Sequence, residues 1–259
     1  MVKRPRLLLV PEFTELEWAI RPLLDEWAEV ISFDLPGVGD EPPAERLNRQ
    51  AVVERALEKL DRRGWQSCFV VGDSWGIASA VQIPLRRPEA VLGLALGHTK
   101  LSFRREGERA PINGEVVAAL TELIDKDHEQ FLRFGITQAT GGSIDEDRAA
   151  KMVERFPREL LRSGWEAVTR NDVDIGELLA QVECPLLFAK HEGCLGSTDE
   201  GFEDAVAAFP AARTITVADA PLASEEFAEA CASSAPASSN RRASRTPRGS
   251  ACGPRPCSG

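Results

Sequence analysis

The chain contains no tyrosine, only two methionines and only three histidines in 259 residues. With so few imidazoles, proton transfer near neutral pH falls to His98, His128 or His191, or to a group whose pKa is strongly shifted. Six cysteines are present, but no two have the C-x-x-C spacing, so a zinc or dithiol redox site has no support. Basic residues are outnumbered, 31 against 41 acidic, for a formal net charge of −10. Without a basic face to collect phosphates, nucleic acid and the membrane surface are excluded as main partners, and a small neutral or hydrophobic substrate or ligand is expected. No apolar run reaches the roughly 20 residues of a membrane-spanning helix. Residues 1–7 lead into a strand-sized run rather than a secretory h-region, so a cytoplasmic location is expected. Neither a phosphate-cradling glycine loop nor a metal-ligand cluster occurs, and no cofactor is implied.

Short apolar runs alternate with amphipathic stretches. Strands are predicted at residues 6–10, 30–34, 67–71 and 91–96, with helices at 17–27 and 46–62 and another after residue 76. Strand followed by helix, repeated, implies an α/β fold with a mostly parallel, doubly wound sheet. From residue 99 to 181 the pattern changes to helical pieces at 114–126, 128–139, 145–156 and 158–169. Strand signals return at 185–189 and 214–217, separated by a helix at 199–209, and a last helix starts near residue 224. The expected organisation is therefore a core of residues 1–98 and 182–230 with a helical cap insertion at 99–181.

Residues 231–259 differ in composition. They hold five arginines, no acidic residue and no Leu, Ile, Val or Phe, so residues 1–230 carry −15 of the total −10. Such a stretch cannot bury enough apolar area to order itself. Its composition fits a disordered basic tail or an out-of-frame end equally well.

The most specific stretch is Gly72-Asp73-Ser74-Trp75-Gly76, lying between a predicted strand and a predicted helix. G-x-S-x-G in that context is a nucleophile elbow. The strand must turn sharply into the helix, and glycines two residues either side of the serine leave room for that turn. Ser74 would then stand at the sheet's carboxyl edge, where the N–H of Trp75 can stabilise a developing negative charge.

This elbow, the Asp34-Leu35-Pro36-Gly37-Val38-Gly39 turn and the helical insertion together resemble the α/β-hydrolase fold superfamily over about residues 6–230, with no room at the start for the family's first two strands. Esterases, lipases, thioesterases, peptidases, lyases and epoxide hydrolases share that fold, so the resemblance leaves the reaction open. It implies Ser74 as nucleophile, with a histidine in the loop after the last strand and an acid after the penultimate one. Here Leu222 falls where the histidine is expected and Cys194 nearest the acid, with Glu192 as the neighbouring carboxylate. In place of the family's His-Gly after the first strand stand Pro11-Glu12, followed by Phe13, whose N–H can still complete an oxyanion hole. Glu12 puts a carboxylate near the oxyanion, which opposes it.

A serine needs a base. His98 directly follows the strand beside the elbow strand in the family's order and is the candidate base. His191, with Glu192 beside it, is a secondary candidate, and His128 lies in a charged, solvated stretch. Asp34 reads as a turn stabiliser and Asp73 as a solvent-side or loop-bonding residue. The expected activity is hydrolysis of a small ester, thioester or related acyl substrate through Ser74. The alternatives are a protein of this fold that binds a hydrophobic ligand without hydrolysis, or a lyase or isomerase using His98 or His191.

Overall fold

The architecture follows from the alternation of apolar and amphipathic segments. The computed structural model describes residues 4–12, 16–97, 114–139, 146–170, 173–191, 199–217, 229–231 and 233. In chain order come β1 (Arg6–Leu9), α1 (Leu16–Asp25), β2 (Glu29–Ile31), α2 (Arg49–Arg63), β3 (Cys68–Gly72), a 3-10 turn at Ser74–Gly76, α3 (Ile77–Arg86) and β4 (Val91–Leu96). Next are α4 (Gly114–Lys126), α5 (His128–Ala139), α6 (Glu146–Arg155), α7 (Arg158–Arg170) and the short α8 (Ile175–Leu179). The order closes with β5 (Leu186–His191), α9 (Asp199–Ala208) and β6 (Arg213–Val217).

All five strand pairings are parallel, in the order β2-β1-β3-β4-β5-β6. Every strand therefore ends at one edge of the sheet. From β1 the chain steps one way to β2 and then crosses back to β3, so the winding direction reverses between β1 and β3. Crevices at such a reversal, outside the carboxyl ends of the strands, are where open parallel sheets bind ligands. The loops that meet there follow Leu9 and Gly72.

Both faces of the sheet are buried, as a parallel sheet with helices on each side requires. Leu8, Val70, Leu94 and Phe188 point to the face that also buries Val53, Leu60, Ile77 and Val81. Leu7, Leu9, Phe69, Val71 and Leu187 point to the other, with Leu24, Val217 and Cys231. This is the two-residue period of a strand read twice. Cys231, at the first position of the composition-biased segment, thus packs inside the body, and Arg213 Nη1 donates to Ser233 Oγ at 2.6 Å. The predicted last helix near residue 224 lies outside the described residues.

Boundaries differ from the sequence reading where a cap decides them. α2 starts at Arg49 rather than Arg46, because Asn48 is extended (φ −135°) and its side chain accepts from Gln50 N at 2.8 Å. It stops at Gly64, left-handed at φ 65°, whose N–H caps carbonyls of the last turn. Only three residues of β2 pair, and α8, not separated out from the sequence, is fixed by Asp174 accepting from Glu177 N at 2.9 Å. The thiols of Cys68 and Cys184 are pushed up by burial, to about 12 and about 11, so both are inert packing groups.

The cap helices fasten to one strip of the core. Arg155 of α6 pairs with Asp34 and its carbonyl accepts from Gly39 N, Leu160 packs over Gly37, Ser163 Oγ accepts from Leu47 N, and Arg49 donates to the Ala167 carbonyl. Asp34 is therefore a bridge to the cap as well as an acceptor for the Asp40 N–H within its own turn. Burial raises the Asp34 carboxyl above its ordinary value near 3.8, outweighing the pull of Arg155, while Glu41 and Asp40 push the same way. A carboxyl that holds its proton more tightly when folded contributes stability below the unfolded pKa and loses it as pH rises through the folded one. Asp34→Asn, which keeps an oxygen for Arg155, is therefore expected to change stability at about pH 7 by under ~1 kcal/mol and to remove the part of the pH dependence that sets in above the ordinary carboxyl value near 3.8. Arg155→Met leaves a partly buried carboxylate without its cation and is expected to cost ~2 kcal/mol. Urea unfolding of both variants tests this, and equal losses would contradict the asymmetry.

Candidate active site

β3 delivers the elbow. Asp73 is extended (φ −136°, ψ 155°), and Ser74 then turns to φ 45°, the one non-glycine residue with positive φ among those described. A side chain held there costs roughly 1–2 kcal/mol, which the surrounding packing must impose. The flanking glycines show how. A methyl on Gly72 would sit 2.4 Å from the Cβ of Ala80, and one on Gly76 would sit 3.0 Å from the Pro11 carbonyl oxygen. Strand and helix therefore approach too closely for a side chain at Gly72, and at Gly76 the Pro11 carbonyl would have to give by a few tenths of an ångström. Asp73 O accepts from Gly76 N at 2.7 Å, and Ser74 O accepts from the N–H of Ile77. Ser74 is left exposed between two buried neighbours, Asp73 and Trp75.

Asp73, 3% exposed, does not face solvent, and its burial removes the solvent-side reading. From the neighbouring strand, Val10 N donates to Val71 O at 2.9 Å and brings Pro11 over Gly76. Glu12 follows and is also buried, at 5% exposed. Asp73 and Glu12 are the two charged side chains buried this deeply among the described residues, and both adjoin the elbow. The sequence places both near the elbow but gives no sign of their burial, because local polarity makes both look like loop residues.

On the other side, Gly97 N donates to Gly72 O at 2.9 Å, tying the chain to the elbow one residue before His98. His98, Phe13, Glu192, Cys194 and Leu222 lie outside the described residues. His191 ends β5, opposite Val217 in the ladder, and β4 intervenes between β5 and β3. Two strand spacings, about 10 Å, thus part its backbone from the elbow strand. His128 opens α5 and is half-buried.

Trp75 faces a neighbour that the sequence did not single out. The Arg49 guanidinium lies 5.8 Å from the centre of its ring, and the Arg49 carbonyl accepts from Ser79 Oγ at 3.4 Å. Arg49 stands 26 positions before Trp75 with no pattern linking them, so only the packing of α2 on α3 reveals the pair.

A parallel sheet wound in this order, with a serine elbow at the reversal and helices inserted after β4, is the α/β-hydrolase fold. An esterase from Exiguobacterium antarcticum superposes with a TM-score of 0.71 at 16% identity, over 90% of this chain and 92% of that one. A haloalkane dehalogenase loop variant from Bradyrhizobium elkanii superposes with a TM-score of 0.66 at 18% identity, over 90% and 88%. In sequence the chain is 26% identical over 182 residues to two pimeloyl-(acyl-carrier protein) methyl ester esterases of Neisseria meningitidis. The alignment spans 65% of this chain and 66% and 54% of theirs, less than two thirds of either relative. No family model matches. Likeness at this level establishes the fold, on which many chemistries occur.

Proposed function

We propose that the protein is a hydrolase of a small ester, thioester or related acyl substrate, with Ser74 as nucleophile and His98 as a relocated base. The observation that carries this reading is the exposed serine held at φ 45° between two glycines, of which Gly72 has no room for a methyl and Gly76 only a tight fit. Backbone strain of this kind clusters at active sites, and a serine displayed on such a turn is the hallmark of the nucleophile elbow. The esters cleaved by the two Neisseria relatives, as their names describe them, belong to the same bond class.

In this mechanism the Ser74 oxygen attacks the acyl carbon as its proton passes to the His98 imidazole. The carbonyl electron pair moves onto oxygen, which the N–H groups of Trp75 and Phe13 receive. Collapse breaks the bond to the leaving alcohol or thiol, and His98 returns the proton to it. Water, giving a proton to His98, then attacks the acyl-serine, and His98 passes that proton to the departing Ser74 oxygen as the acid is released. The Gly97–Gly72 hydrogen bond supports the choice of base, since it holds the residue before His98 against the elbow.

A fluorophosphonate probe tests the reading. Labelling of the purified protein is expected, abolished in Ser74→Ala and slowed about 100-fold or more in His98→Ala. A folded parent that takes no label overturns it. The buried Glu12 beside the elbow favours a second reading, ligand binding without hydrolysis, because a charged carboxylate there opposes an oxyanion. In that case candidate acyl ligands raise the melting temperature without being turned over. Turnover that survives Ser74→Ala but not His98→Ala instead points to a lyase or isomerase.

A further inference from the structure

The chain is acidic overall, yet one cleft gathers cations. It opens between the start of α2 and the cap helix α7, with a volume of about 350 Å³. Arg46, Asn48 and Arg49 line it from the approach to α2, Gln82 from α3 and Ser163 from α7, and no carboxylate is among its lining residues. In a protein with 41 acidic side chains against 31 basic ones, two arginines in a cleft without a lining acid are not explained by bulk charge.

The two guanidinium groups are held differently. Arg49 is held, its Nη2 donating to the Ala167 carbonyl at 3.2 Å and its Cζ 5.8 Å from the centre of the Trp75 ring. Arg46 is 64% exposed and reaches Glu166 at 3.6 Å, an outward pair that solvent screens and a competing anion can replace. Arg49 also opens a helix of 15 residues, whose N-terminal dipole adds to the positive potential. A planar fork held in place, joined by an exposed one, suits bidentate capture of an oxyanion.

We propose that this cleft binds a small oxyanion, a carboxylate or a phosphate group, between Arg46 and Arg49, and that its occupancy is felt at Trp75 through Arg49. The site spans core and cap, because Arg49 bonds to α7. It does not depend on Ser74 being catalytic.

The test titrates the full chain with sodium phosphate and, separately, with sodium acetate, at ionic strength held constant with sodium chloride. Binding is read by calorimetry and by tryptophan fluorescence. A saturable isotherm with at least one of the two anions is expected, weakened about tenfold or more by Arg49→Met and by Arg46→Met. The fluorescence change is expected to shrink in Trp75→Phe while the calorimetric binding persists. Phosphate binding alone, or acetate binding alone, identifies the group the cleft takes. Absence of saturable binding by either anion overturns the proposal, as does an isotherm that neither arginine substitution alters. Should Arg49→Met fail to fold, Arg46→Met, at an exposed position, decides the question by itself.

Discussion

Gly72→Ala is expected to destabilise the fold by about 3 kcal/mol and to suppress reaction at Ser74 even in the folded fraction. The added methyl would lie 2.4 Å from the Cβ of Ala80, a rigid atom on α3 with no rotamer to yield. Strand and helix must therefore part by more than an ångström, and the turn between them opens. Because that turn holds Ser74 at φ 45°, the serine relaxes as the helix retreats. Urea unfolding measures the first effect and fluorophosphonate labelling per folded molecule the second. Gly64→Ala is the control: it also has positive φ, at 65°, but nothing lies within 4 Å of an added methyl. Its cost is expected to be about 1 kcal/mol, the backbone term alone. If the two substitutions cost the same, close packing is not what requires glycine at the elbow.

Phe188→Ala is expected to cost 3–5 kcal/mol, on the order found for deleting a buried ring. Phe188 is fully buried in β5, pairs with Thr214 of β6, and meets the Phe209 ring edge-on at 6.0 Å between centroids and 88° between planes. Deleting its ring leaves a cavity between the sheet and α9 that neither rigid neighbour can fill. Phe188→Leu retains most of the volume, and its cost is expected to stay near 1.5 kcal/mol. A loss below about 1 kcal/mol for the alanine variant would show that β5 and β6 contribute little to cooperative unfolding.

Both predictions concern parts of the fold that periodicity and turn residues revealed. The strands at 91–96 and the helices at 114–126 and 128–139 have the predicted bounds, because apolar period and flanking breakers agree there. Where one side chain decides, as Asn48 does by capping α2, the apolar pattern runs on and misplaces the start by three residues. The elbow was legible because steric demand writes glycine directly into the sequence. The partners of the site were not. Asp34 and Arg155 stand 121 positions apart, and Arg49 meets Trp75 only through helix packing, so neither pair leaves a local signal. Burial of Asp73 and Glu12 is likewise set by strands that neighbour them in space.

The fastening of α6 and α7 to a single strip of the core bears on how such proteins can be recombined. Residues 34, 37, 39, 47 and 49 meet Arg155, Leu160, Ser163 and Ala167 through charge, close contact and backbone hydrogen bonds. A chimera that imports these cap helices from a homologue while keeping the native strip would join mismatched halves. Segment 34–49 and the helices it holds are one exchangeable module, although more than a hundred residues of chain separate them.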